Sequence, residues 1–150
     1  MKIKLSFFLR NNLATIFSVL FSLALFIGCE INKTKIVVQN GYVGGVWLIK
    51  SDITKNELTL DSNGIGYINE ETFNELKYAP SVFEVSGADI SIKCVGYSQS
   101  AFWARGFGES SESRFKIEYK SFEIVPYNSI GEKQYYHQDL FKVVDTLKLK

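Results

Sequence analysis

The chain predicts a mainly β fold: an antiparallel β-sandwich or a partly open barrel, with one short helix near residues 70–77 and a candidate helix at the C-terminus. Three observations carry that expectation. Short β-branched and aromatic segments recur between Gly, Asn and Pro punctuation. Apolar and polar residues alternate with a period of two over residues 88–94 and 114–120. Helical spacing occurs only in short stretches.

Residues 35–39 are apolar and β-branched and predict the first strand. Asn40-Gly41 and Gly44-Gly45 punctuate the chain before a second strand at residues 46–50. Residues 57–60 and 65–68 flank Asp61-Ser62-Asn63-Gly64, a hairpin signal with Gly64 at a position that needs positive φ. Asn69 is placed to cap a short helix over residues 70–77: Glu70 and Glu71 favour a helix N-terminus, and Phe73, Leu76 and Lys77 mark one side. Ala79-Pro80-Ser81 ends it. Residues 82–85 predict a strand and Gly87 a turn. Ala88, Ile90, Ile92 and Cys94 alternate with Asp89, Ser91 and Lys93, which predicts a strand with Cys94 facing inward. Residues 101–107 predict another strand, and residues 109–113 a polar loop. Phe115, Ile117 and Tyr119 share one parity, whereas Phe122 and Ile124 take the other. That slip predicts a β-bulge near Lys120-Ser121, or two strands meeting there. Leu140, Val143, Val144 and Leu147 follow helical spacing and predict a short helix from about Gln138.

The start of the chain is built differently. Lys2, Lys4 and Arg10 give a basic opening without an acid, residues 13–27 are apolar or small, and Gly28-Cys29 closes the run. These are the parts of a secretory signal, and the run is shorter than the ~20 residues that span a bilayer. With Cys29 where the apolar run stops, the segment resembles the signal of bacterial lipoproteins; Phe26 stands where that motif usually has Leu. The resemblance implies cleavage after residue 28, lipid on Cys29, and attachment to the membrane through it. Glu30 rather than Asp after the cysteine implies the outer membrane of the cell envelope. The domains on this reading are a signal peptide at 1–28, a tether at 29–34 and a single β-rich domain at 35–150. Five flexible tether residues reach on the order of 12 Å, which keeps the domain beside the lipid headgroups.

Cleavage there removes three of the 17 basic residues and leaves 14 against 16 acidic ones, a formal charge of −2. That balance provides no basic stripe for nucleic acid. Lipid on Cys29 leaves Cys94 without an internal partner, so no disulfide staples the fold. A lone thiol in an oxidising compartment is best kept buried.

Val38-Gln39-Asn40-Gly41-Tyr42-Val43-Gly44-Gly45-Val46-Trp47-Leu48-Ile49 and the hairpin from Leu58 to Tyr67 resemble the opening of an uncharacterised group of small bacterial lipoproteins. In that group a Pro-Glu-Gly-Tyr/Phe-x-Gly segment precedes an apolar strand; here Gln39-Asn40 replaces Pro-Glu. The resemblance implies a β-rich lipoprotein domain and brings no activity with it.

Candidate chemistry is sparse. His137 is the only histidine, Asp139 is too near in sequence to orient it easily, and no serine lies in a nucleophile elbow. No catalytic residue is assigned, and His137 reads as a surface or half-buried side chain. One histidine and one inward cysteine cannot build a zinc site. Asp61-Ser62-Asn63-Gly64 is similar to the start of a calcium loop, but Asn69 and Thr72 stand where later ligands belong, so the segment reads as a turn and no metal or other cofactor is expected. Glu70, Glu71 and Glu75, and Glu109 with Glu112, read as a helix start and a solvated loop rather than as a hydrolytic carboxylate pair. Aromatics are the most informative class. Trp103 and Arg105 share one face of the 101–107 strand and Phe102 lies on the other, with Tyr97 before them. Large aromatics are mostly buried, so both Trp47 and Trp103 read first as core; with both faces of the 101–107 strand loaded, an exposed aromatic there is the alternative. An exposed Trp or Tyr beside Arg anchors a sugar or a protein partner.

The expected function is therefore a membrane-anchored, non-enzymatic envelope lipoprotein. It would bind an envelope protein or glycan through Trp103, Arg105 and Tyr97. An alternative is an inhibitor or immunity lipoprotein that inserts the 109–113 loop into a periplasmic enzyme. A remote one is a hydrolase built on His137.

Overall fold

The computed structural model describes residues 34–108 and 111–149, and the side chains of all of these except residues 104–108 and 111–115. The expected signal peptide, Cys29 and all of the tether but Thr34 lie outside the described residues, as do Glu109 and Ser110 and the side chain of Arg105. Lys33–Lys150 forms one unit of contacts.

The fold is mainly β, as the sequence predicts. Strands β1 (Lys35–Val38) and β4 (Ser81–Glu84) form a two-stranded sheet, and β2 (Gly44–Lys50), β3 (Ile65–Ile68), β5 (Cys94–Gly108) and β6 (Ser111–Ile124) form a four-stranded sheet in the order β3-β2-β6-β5. The antiparallel expectation holds for β2 with β6 and for β5 with β6. It is corrected at β1 with β4 and β2 with β3, which pair parallel. Residues 57–60 bridge the two sheets. Val37 pairs with Thr59, and Glu57 exchanges hydrogen bonds with Tyr67 of β3. Among the described residues no pairing joins β4 to β5, so the barrel stays open there.

The predicted hairpin turn is present. Asp61 accepts hydrogen bonds at Oδ1 from the backbone N–H groups of Asn63 and Ile65, at 2.9 and 2.8 Å. Gly64 has φ +75°, and a Cβ there would stand 2.2 Å from the Gly45 carbonyl oxygen. Helix α1 (Glu70–Glu75) follows, capped by Asn69, whose Oδ1 accepts from the Thr72 N–H at 2.9 Å. The second expected helix is the single turn α2 (Leu140–Val143).

Two apolar cores lie on opposite faces of the four-stranded sheet. The inner one gathers Ile36 and Val38 from β1, Val46 and Leu48 from β2, Phe73 and Leu76 around α1, Val82 from β4, and Phe122 and Ile124 from β6. The outer one joins Ile49, Ile65, Tyr67 and Ile117 to Leu140 and Val144. Every residue of β3 is buried, as a strand covered on both faces requires.

The two cores explain the parity slip. Strand β6 runs unbroken from Ser111 to Ile124, and β2 pairs with it in steady register, so no bulge interrupts it at Lys120-Ser121. Ile117 faces the outer core while Phe122 and Ile124 face the inner one. A bulge does lie close by, in the partner strand: the β5 register shifts between Val95 and Ser98, opposite Phe122.

A second expectation fails at residues 88–94. Ser91–Lys93 is a 3-10 turn, and Ile92 is 69% exposed instead of buried. The Asp89 carboxylate accepts from both the backbone N–H and the hydroxyl of Ser91, at 2.9 and 2.6 Å, and the Ser91 hydroxyl oxygen accepts from the Val82 N–H at 2.9 Å. Such local side-chain bonds compete with a strand ladder. The expected polar loop at 109–113 is shorter than predicted, since Ser111–Ser113 belong to β6. Leu147 misses the core at 75% exposure because the helix stops at Val144, whose ψ is 129°.

Candidate functional site

Strand β2 contacts β6 only through Tyr119–Ile124. Beyond that, Ala101–Gly108 pairs with Ser111–Glu118 alone, so the β5–β6 hairpin extends past the sheet as a two-stranded arm. Trp103 stands on this arm in register with Lys116 and is 68% exposed. The reading of both tryptophans as core is corrected there, because Trp103 stands where β6 has no further strand beside it. Trp47, by contrast, is half-buried.

Of the other two residues of the expected patch, Tyr97 is placed elsewhere, and the side chain of Arg105 lies outside the described ones. Tyr97 sits at the β5 bulge, packs against the inner core, and donates its hydroxyl to the Leu76 carbonyl at the end of α1. Burial pushes that phenol up to about 12. Its role is to tie α1 to the sheet. Arg105 is in register with Arg114.

The face of Trp103 continues along the strands into a charged row. Lys116 bonds Glu118 at 2.8 Å, Glu118 lies 3.6 Å from Lys50, and Lys50 bonds Glu70 at 2.6 Å. These groups line a hollow of about 460 Å3. The hydrogen bond from Lys116 holds the Glu118 carboxyl below its ordinary range, and that to Glu70 holds the Lys50 ammonium above its own. Each carboxylate in the row faces a lysine, so the row reads as a solvated ion-pair chain. Further inward on the same face Lys120 is buried, its ammonium 3.1 Å from Gln99 Oε1. The period-two alternation over residues 114–120 puts Lys120 with the polar face; its parity with Phe122 and Ile124 is the signal for burial.

On the opposite face, Trp47, Phe102 and Tyr119 border a groove of about 470 Å3, with Tyr136 and His137 across from them. His137 is exposed, and no hydrogen bond joins it to a hydroxyl or carboxylate among the described residues. Ser121, the serine of the groove lining, lies instead with its Oγ 3.2 Å from Ser98 Oγ. The geometry required of a nucleophile and its base is absent from that pair.

Cys94 is a free, half-buried thiol packed against the inner core. Burial, with the charge of Asp89 second, pushes it up to about 12, so it is a thiol rather than a thiolate at neutral pH. Among the described residues no three His, Cys, Asp or Glu side chains are grouped to hold a metal ion. No described helix is long and apolar enough to cross a membrane. Compared with family models, with curated proteins and with solved structures, the chain matches none.

Proposed function

We propose that this chain is a membrane-anchored envelope lipoprotein that acts by binding, without catalysis. The observation that carries the binding role is Trp103: a large aromatic side chain, 68% exposed, on a hairpin arm that extends past the sheet. Exposed tryptophans of this kind dominate protein interfaces when covered, each contributing about 2 kcal/mol or more. The anchoring role rests on the basic opening, the apolar run and Cys29. Lipid on Cys29 would hold the domain at the outer membrane, within tether reach of an envelope protein or glycan.

Two experiments test the two halves. Globomycin, which blocks lipoprotein signal cleavage, should leave the full-length precursor in treated cells; normal processing would remove the anchor. Trp103→Ala should weaken capture of a partner from detergent-solubilised envelope; unchanged recovery would remove the arm from the binding role.

The arm also favours a second reading, an inhibitor lipoprotein that inserts the β5–β6 hairpin into a periplasmic enzyme. Cells lacking the gene should then be more sensitive to lysozyme or to a periplasmic toxin. Equal sensitivity would leave the first reading alone.

A further inference from the structure

The groove on the face opposite Trp103 is built from parts that the proposed function does not use. Trp47 lies flat along β2: a Cβ on Gly45 would stand 2.1 Å from the Cη2 of the indole, so only glycine lets the ring settle on the strand. Its cross-strand neighbour is Ser121, whose small side chain leaves the space beside the indole open. Phe102 and Tyr119 meet edge to face at 6.0 Å and form one wall. The opposite wall is the irregular segment that carries Tyr136 and His137.

That segment is strained. Tyr135 has φ +57°, the only positive φ outside glycine among the described residues. A bulky side chain rarely takes this conformation, and such outliers cluster at ligand sites. The twist leaves Tyr135 70% exposed while Tyr136 lines the groove. The segment is fastened by the Gln134 N–H, which donates to Glu123 at 2.7 Å.

Polar groups of the groove are uncommitted. The hydroxyls of Tyr119 and Tyr136, the His137 imidazole and the Gln138 amide make no hydrogen bond among the described residues. No lysine or arginine lines the groove, and its one carboxylate, Asp139, is engaged 3.1 Å from Lys142. A phosphate or carboxylate ligand would find no counter-charge among the groove's own lining side chains; Lys133 belongs to the adjoining hollow, beside Glu123. A flat aromatic floor with several free neutral donors and acceptors suits a ligand that is apolar on one face and hydroxylated at its edge. At about 470 Å3 the groove falls in the range of small-molecule sites.

We propose that the groove over Trp47 binds the pyranose ring of a neutral saccharide. The ring's C–H face rests on the indole, and Tyr119, Tyr136, His137 and Gln138 bond its hydroxyls. This site lies on the other side of the sheet from Trp103, so it stands or falls separately from the arm.

The chain has two tryptophans, so Trp103→Phe leaves Trp47 as the sole indole reporter. In the detergent-solubilised full chain carrying Trp103→Phe, diacetylchitobiose or maltose should give a saturable change in tryptophan emission, half-complete at about 1 mM or below. His137→Ala and Tyr136→Ala sit on irregular chain and should keep the melting temperature while weakening the response roughly tenfold in the double variant. Glucose 6-phosphate should bind less well than its neutral parent. The proposal is overturned by the absence of a saturable change with both disaccharides. It is equally overturned by a response indifferent to both wall substitutions, or by saturation with adenosine or a proline-rich peptide in place of sugar.

Discussion

The ammonium of Lys120 stands 4.8 Å above the centroid of the Phe73 ring, inside the sheet rather than on its wet face. The ring face and Gln99 Oε1, at 3.1 Å, are its compensating neighbours. Burial holds this lysine below its ordinary value of 10.5. The folded chain therefore releases the proton at a pH where the unfolded chain still keeps it, and stability rises with pH up to that ordinary value. Lys120→Met keeps the stem and removes the charge. It should match or exceed the parent in urea near pH 7, about as buried charge-to-apolar swaps do. The parent should gain on the variant between about pH 7 and pH 10. Urea midpoints of both chains at the two pH values check this; a parent that loses ground would contradict it.

Cys94 drives an opposite trend at higher pH. Its thiol ionises near 9.0 in an unfolded chain and near 12 in the fold. Between those values only the unfolded chain gains a thiolate, so the stabilising contribution present below 9.0 is lost as pH climbs. In reducing buffer the fall in melting temperature over that window should be shallower for Cys94→Ala than for the parent. A thiol alkylating reagent near pH 8 should label the native chain far more slowly than the urea-unfolded one.

Gly45→Ala tests the seat of the indole. The added Cβ would meet the Trp47 ring at 2.1 Å and force it off the strand. Overpacking of this kind costs about 1–3 kcal/mol. Chemical denaturation should show that loss, together with a red-shifted Trp47 emission in a Trp103→Phe background. An unshifted emission would mean that the ring has another resting place.

Asn69→Ala should cost about 1 kcal/mol, the usual loss of an N-cap acceptor. The Thr72 N–H loses its 2.9 Å partner. The backbone N–H of Asn69 still donates to Asn56 Oδ1 at 2.8 Å, so the chain entry to α1 should hold and only the first turn should fray. Amide exchange at Thr72, faster in the variant while Phe73 stays protected, would report that division.

Much of the fold is local and was therefore legible. Asp61 and Gly64 specify their turn through bonds within four residues, and Asn69 caps α1 three residues away. At residues 88–94 local bonds also decide, against the period-two pattern: the Asp89–Ser91 bonds turn the chain where alternation alone predicts a strand. The expected bulge in β6 fails for a different reason: a parity slip signals a change of buried face, and a straight strand between two cores produces the same pattern as a bulged strand over one.

By itself the sequence determined the β class, the Asp61–Gly64 turn and the capped helix, because each depends on residue type or on contacts a few positions apart. Only the tertiary structure decided which tryptophan is free. Trp103 and Trp47 sit in similar strand sequence, but β2 is flanked on both sides by β3 and β6, whereas Trp103 stands where β6 has outrun β2. The groove, the buried Lys120 and the two-core division likewise come from strand order and register, which join residues 18 positions apart in β2–β3 and 70 to 80 apart in β2–β6, pairings that residue type alone does not fix.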